Sequence, residues 1–362
     1  MSPTNRRQAT RHALPLFKIR GPPDVVVDVE SGESELTSLK VIGELGVISI
    51  LERALGTSAI TVVGFGDDIS AVRLNKQQVA VLKTDMLVGS TDIPPSMTMK
   101  EAARKAVVAN VSDLAAKGVR PLAGIMALGL PAHLTKQDVL EIASGLSHAA
   151  KEYGFPLVGG DTNESNDLTI SIALFAVANK RGLILRSGAK AGDIVAVTGE
   201  FGDTAAGLKA LMEKKKRRTE LARPLYQAVY HPSAQLDLGV RLAASGAVSA
   251  SIDSSDGLAW SLHELSKASR VGIRINTVPL SRTARRFAEL HDYKANDLAF
   301  YGGEEYHLVV AIRPERFDAA RKAAKGRLKP IGIMTHEFKE VRLRQAGRET
   351  AIARKGWEHF KG

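Results

Sequence analysis

The chain contains no cysteine. This excludes disulfides, thiolate zinc sites and cysteine nucleophiles, and it suits a reducing compartment such as the cytoplasm. Aromatic residues make up 5% of the 362 positions and do not interleave with the basic ones, so no platform for stacking bases is visible. The stretch 121–135 near the middle is free of Lys, Arg, Asp and Glu, but it holds two prolines and is too short to span a bilayer. The N-terminal segment lacks an apolar signal core, so neither a secretory signal nor a membrane partner is expected. No GxxxxGK[ST] occurs, which excludes a P-loop nucleotide site. None of the nine histidines forms HExxH or a close pair suited to zinc. No serine sits in a GxSxG elbow, so serine hydrolysis is not expected.

What is present is an ordinary globular composition, 44% hydrophobic and 25% charged, long enough for two domains or one large one. The net charge of +11 is diffuse. Its only dense run, Lys214–Arg218, reads as a solvated helix end or loop. A basic nucleic-acid-associated module built on the N-terminal tail and this run would bind DNA or RNA in a salt-sensitive way. That reading leaves the acidic motifs below unexplained, so nucleic acid is not an expected partner.

Residues 1–36 read as a basic, mostly disordered tail, or as an upstream-start artefact. From Thr37 the pattern turns globular. Helices are expected at Leu39–Leu55, Met97–Lys117, Gln137–Tyr153, Asp203–Lys214, Ser233–Ala244, Leu258–Ser269 and Pro314–Lys325. Strands are expected at Ile60–Val63, Val79–Leu82, Leu122–Leu128, Leu168–Val177, Ile194–Thr198, Ser249–Ile252, Gly272–Ile275, His307–Ile312 and Val341–Arg344. The turn-rich segment Arg186–Asp193 is the preferred boundary, giving domains at 37–180 and 181–362. Alternating strands and helices in both halves imply sheets with helices layered against them.

Against the basic background stand six aspartates beside small residues. They are Asp67 in GFGDD, Asp85 in KTD, Asp113 in NVSDLAAKG, Asp161 in GGDT, and Asp253 and Asp256 in IDSSDG. Strands supply rigidity, small residues allow a close backbone approach, and carboxylates suit hard divalent cations. Any one such motif is usually a turn or a helix cap. Asp113 is harder to set aside, because aspartate is unfavourable inside a helix and Ala102, Ala106 and Asn110 share its face. The chemistry that most needs several such ions is phosphoryl transfer.

In order, GDD, TDMLV, NVSDLAAKG, GGDT, RSGAKAGD, TGEFGDTAAGL, IDSSDGL, GGEEYHL and GWEHF resemble the thiamine-monophosphate kinases. These belong to the aminoimidazole ribonucleotide synthetase superfamily, and the resemblance covers roughly residues 37–360. It implies an α+β protomer of two domains. The N-terminal α/β sheet domain pairs with a second copy into a dimeric barrel, and the C-terminal domain is ferredoxin-like. It implies in-line transfer of the ATP γ-phosphoryl group to thiamine monophosphate, with Mg2+ ions, in a homodimer. By motif, Asp67, Thr84, Asp85, Asp113, Asp161 and Asp253 hold Mg2+, and Asp256 holds a further ion or orients its water. Lys83 stands where a small hydroxyl residue is common, so a metal contact there uses its backbone carbonyl. Gly160, Asp161, Arg186 and Ser255 meet ATP. Asp85, Asp113 and Arg186 are the expected catalytic residues, Arg186 as the guanidinium for developing phosphoryl charge. Glu304 bonds the aminopyrimidine, and Trp357 packs on the substrate rings, unless it is a terminal residue tucked into the core. Asp92 stands where bacterial members often carry a substrate-binding histidine, and a carboxylate cannot replace a cationic contact to phosphate. GGEEY and GWEHF favour the thiamine enzyme over synthetase-like or hydrogenase-maturation-like relatives.

Overall fold

The structure is a computed structural model that describes residues 38–213, 221–357 and 360. The expectations for the tail 1–36 and for Lys214–Arg218 lie outside the described residues. Residues 1–58 and 59–362 are separate compact units. The described part of the first is helix α1, Leu39–Leu55, interrupted at Gly43, whose φ of 64° and ψ of 177° leave the helical region.

The second unit begins with β1 (Thr61–Val63), β2 (Ser70–Arg73) and β3 (Gln78–Val88), then a single turn, α2 (Gly89–Asp92). Next come α3 (Met99–Ala116), β4 (Ala123–Leu130), α4 (Lys136–Tyr153), β5 (Leu157–Glu164) and β6 (Thr169–Asn179). The strands form one six-stranded sheet in the order β1-β2-β3-β6-β4-β5. Its ladders are antiparallel except β4–β5. Both long helices start at capping boxes, Thr98 with Glu101 and Thr135 with Asp138, each of which satisfies two otherwise orphan backbone donors. α4 buries Ile142, Leu146, Ala149, Ala150 and Tyr153 at helical spacing. It comes so close to α3 that a Cβ on Gly145 would stand 2.2 Å from the Lys100 carbonyl oxygen.

The remaining elements are β7 (Ile194–Val197), α5 (Asp203–Met212), α6 (Ala222–Tyr230), α7 (Leu236–Ala244), β8 (Val248–Asp253), α8 (Leu258–Ser269) and β9 (Gly272–Ile275). They continue with α9 (Arg282–His291), α10 (Ala295–Tyr301), β10 (Leu308–Ile312), α11 (Phe317–Ala323), β11 (Lys329–Thr335), β12 (Val341–Gln345) and β13 (Arg348–Ala351). Seven strands make the second sheet, ordered β13-β12-β9-β11-β7-β10-β8. The protein is therefore a mixed α+β structure built on two sheets.

α3 positions the site. It packs on β3 and β6 of the first sheet and on β8 and β10 of the second. From Ala102 onward nearly every one of its residues is buried, including Lys105, Asn110, Ser112 and Asp113. A helix buried all round has no solvated face on which to spend polar residues, so each of these must find a partner.

Candidate active site

On β3, alternation turns Val79, Val81, Lys83 and Asp85 toward α3. The buried face thus runs from apolar into charged residues where the strand meets Asp113. Asn110 on α3 ties the two elements, its Oδ1 accepting the Asp85 amide at 2.8 Å. At the end of β8, Asp253 Oδ2 accepts the Ser112 hydroxyl at 2.6 Å. The turn after β1 brings Asp67 and Asp68. One carboxylate oxygen from each of Asp68, Asp113 and Asp253 lies within 4.8 Å of the others, and all three residues are buried.

Such a cluster cannot persist without compensating charge. Three basic residues supply it. Lys83 Nζ lies 2.7 Å from Asp85 and 2.8 Å from Asp113. Lys117 Nζ, fully buried, lies 2.6 Å from Asp67 Oδ1, 2.7 Å from Asp68 Oδ2 and 2.8 Å from the Ser251 carbonyl. Arg186 donates from Nε to Asp68 Oδ1 at 2.6 Å and from its amide to Asp67 Oδ2 at 3.0 Å.

The proton affinities follow. Burial raises Asp113 well above the usual carboxylate range, and Asp253, Asp85 and Asp68 add to the rise against the pull of Lys83. Burial, helped by Asp68, pushes Asp253 up to about 6. Burial also works against the Asp68 anion, but Lys117 and Arg186 outweigh it and hold that carboxyl low. Burial disfavours the Lys83 ammonium, yet Asp113 and Asp85 more than restore it.

A second group of residues meets this cluster through the loop after β8. The Ser255 carbonyl accepts the Glu304 amide at 2.6 Å, and the Ser254 carbonyl accepts the Tyr306 amide at 2.9 Å. The Asp256 carbonyl accepts the Trp357 amide at 3.2 Å. IDSSDG, GGEEYH and the C-terminal GW, distant in sequence, are thereby laced together. Trp357 is 55% exposed, which excludes a residue tucked into the core. Glu304 is ion-paired with the nearly buried Lys105, whose Nζ also donates to the Asp92 carbonyl at 2.7 Å. The Asp92 carboxylate turns onto its own backbone and accepts the Val88 amide at 2.7 Å. Its carboxyl group therefore closes the α2 turn.

Two expected residues face elsewhere. Thr84 alternates to the opposite side of β3 from Asp85, and its Oγ1 lies 3.4 Å from Ser171 Oγ. Asp161 on β5 is exposed and in register with Ala127 of β4, whose antiparallel partner is Ser171. Among the described residues no ion pair or side-chain hydrogen bond joins Asp161 to the cluster. Gly160 has a packing reason to be glycine, because a Cβ there would stand 2.1 Å from the Met126 carbonyl oxygen. Asp68, Lys105 and Lys117 were not anticipated. The signal for Lys117 was its place four residues after Asp113 on the same helix face, and for Asp68 the doubled aspartate of GFGDD.

The donor set fits a hard divalent cation. Three converging carboxylates, two of them with proton affinity raised by burial and by their neighbours, are the ligands such an ion prefers and whose repulsion it relieves.

Comparisons with known proteins identify the family. The domain model described as AIR synthase related protein, N-terminal domain, matches residues 66–179, and its C-terminal counterpart matches 190–343. The class is thus that of the AIR synthase-related proteins. A thiamine-monophosphate kinase of Nitrosopumilus maritimus is 38% identical over 323 residues, covering 88% of this chain and 99% of that protein. One from Pyrococcus horikoshii is 33% identical over 308 residues, covering 82% and 91%. A solved structure of AaThiL complexed with AMPPCP and TMP is 29% identical, with a TM-score of 0.79, covering 90% of this chain and 100% of that one. This chain belongs to the thiamine-monophosphate kinase family.

Lys117→Met retains bulk but leaves Asp67 and Asp68 without their buried ammonium. The expected loss is about 3–5 kcal/mol of unfolding free energy, typical of breaking one side of a buried pair. Urea denaturation in EDTA measures it, and a loss below about 1 kcal/mol would show that Lys117 is not the compensating charge.

Proposed function

We infer that this chain transfers the γ-phosphoryl group of ATP directly to the phosphate of thiamine monophosphate, giving thiamine diphosphate and ADP. The observation that carries the reading is the convergence of Asp68, Asp113 and Asp253 within 4.8 Å, beside a loop that joins Glu304 and Trp357 to the same place. Donor and acceptor are both polyanions, and bound Mg2+ would supply the charge screening and in-line alignment they need. Asp67, Asp113 and Asp253 are its proposed holders beside Asp68, with Asp256 for a further ion or its water; Asp85, expected as a holder, is ion-paired with Lys83. Arg186, Gly160 and Ser255 are assigned to the ATP phosphates. Arg186 is half-buried beside Asp68, which holds its Nε side in place while the rest of the guanidinium is available to a phosphate. The acceptor phosphate is ionised at neutral pH, so no strong general base is required. Glu304 is assigned to the aminopyrimidine, and the exposed indole of Trp357 to the cationic thiazolium. The ferredoxin-like description of the C-terminal half rests on the family resemblance.

The active protein is proposed to be a homodimer. The face of the first sheet turned away from α3 exposes Leu82, Met86, Ile125, Phe175 and Val177, a contiguous apolar surface on β3, β6 and β4. Monomers rarely leave such a surface in water, and a second copy of the same sheet would cover it. Thr84 and Asp161 lie on this outer face, so their ligand roles are assigned to the paired protein. Light scattering after gel filtration is expected to give twice the chain mass, and Phe175→Glu is expected to give monomer. A parent protein that runs as monomer at micromolar concentration would overturn the pairing.

The activity test is direct. Protein incubated with ATP, Mg2+ and thiamine monophosphate is expected to form thiamine diphosphate and ADP in equal amounts. Asp113→Asn is expected to lower turnover by about 100-fold or more, in line with losing one electrostatic element of a site, while its circular dichroism stays that of the parent. Near-parental turnover by the variant rejects the role of Asp113. ATP cleavage indifferent to thiamine monophosphate would assign the chain to another reaction of the superfamily.

A further inference from the structure

We propose that the Lys83 ammonium is a built-in counter-cation that takes the place of a divalent ion between Asp85 and Asp113. The inference rests on the phosphoryl-transfer reading of the site and refines it. Lys83 Nζ lies 2.7 Å from Asp85 Oδ1 and 2.8 Å from Asp113 Oδ2. A Mg2+ bridging the same oxygens would stand about 2.1 Å from each, within the volume that the ammonium fills. Strand alternation leaves the side chain little choice. Residues 79, 81, 83 and 85 share the face of β3 that packs on α3, so a long side chain at 83 is directed at Asp113 and at its own i+2 neighbour.

The lysine is also hard to displace. Its side chain is only 14% exposed, and an ion entering between the two carboxylates would leave a buried ammonium without a partner. A serine or threonine at 83 is too short to span the gap, so it would leave two facing carboxylates, one of them the buried Asp113, as an open site for a cation. Two consequences follow. The Asp85–Asp113 side of the cleft is assembled before any metal binds. The chain also binds one fewer divalent ion than the same scaffold with a short hydroxyl residue at position 83. On the other side Asp68 is paired with Lys117 and Arg186 and Asp253 accepts the Ser112 hydroxyl; no ion pair to Lys83 is found there among the described residues, and this stays the part of the cluster that an ion can enter.

The test compares the parent, Lys83→Ser and Lys83→Arg. Bound Mn2+ per chain is counted by electron paramagnetic resonance with a non-hydrolysable ATP analogue present, and melting temperatures are taken in EDTA and in Mn2+. Lys83→Ser is expected to bind about one additional Mn2+ per chain, to melt below the parent in EDTA, and to gain more from Mn2+ than the parent does. Lys83→Arg, which retains the charge, is expected to match the parent's count. Equal counts in all three proteins overturn the proposal. A Lys83→Ser chain that folds only when Mn2+ is added supports it, and one that folds neither with nor without Mn2+ overturns it. The counts are read without turnover, so a parent protein that makes no thiamine diphosphate would sink the functional reading and leave this result standing.

Discussion

The structure is organised around the cost of burying Asp68, Asp113 and Asp253 within 4.8 Å of one another. Ionised carboxylates withdrawn from water repel one another and lose their hydration, and nothing apolar can offset that. The fold answers with positive charge carried by the chain itself. Lys83 comes from β3, Lys117 from the end of α3, and Arg186 from the segment that leads into the second sheet. Each basic residue anchors a different element to the cluster. The electrostatic requirement and the packing of α3 against both sheets are therefore one constraint.

That arrangement also sets what the site can do. Asp113 and Asp253 hold protons more tightly than ordinary carboxylates, while Asp68 is held ionised by its two cations. A cleft poised in this way favours added positive charge, as the proposed phosphoryl transfer requires. The loop after β8 connects this end to Glu304 and Trp357 through backbone hydrogen bonds rather than flexible side chains. The proposed phosphate and ring contacts would thus be held at a fixed separation, which is the condition for aligning donor and acceptor.

Much of this was legible in the sequence, for reasons that differ by residue. The helix expected at 97–117 and found at Met99–Ala116 announced itself by alanine-rich periodicity, and Asp113 by its awkward place inside it. β11 was missed because it contains Pro330, which donates no ladder hydrogen bond. The structure absorbs it at a register shift against β7 between Pro330 and Gly332. α9, RTARRFAELH, was missed because only Ala284, Phe287 and Ala288 are buried among charged neighbours. The single helix read at 39–55 is broken at Gly43 by a positive φ that periodicity does not register. Lys105 and Lys117 were the largest omission, and Lys83 was expected only through its backbone carbonyl, whereas its ammonium meets Asp85 and Asp113. Lysine is ordinarily solvated, and composition offers no sign that Lys83, Lys105 and Lys117 turn inward. Only the burial of the whole of α3, a tertiary fact, makes the partners of Lys105 and Lys117 necessary.

The central claim is that these buried carboxylates form a cation and phosphate site whose charge the chain has already part-balanced. Anomalous diffraction from crystals grown with Mn2+ and a non-hydrolysable ATP analogue tests it most directly. The account predicts Mn2+ peaks in contact with Asp113 and Asp253, nucleotide phosphates beside Arg186, and no peak bridging Asp85 and Asp113. Mn2+ and phosphates bound elsewhere, with no peak near Asp113 or Asp253, would contradict it.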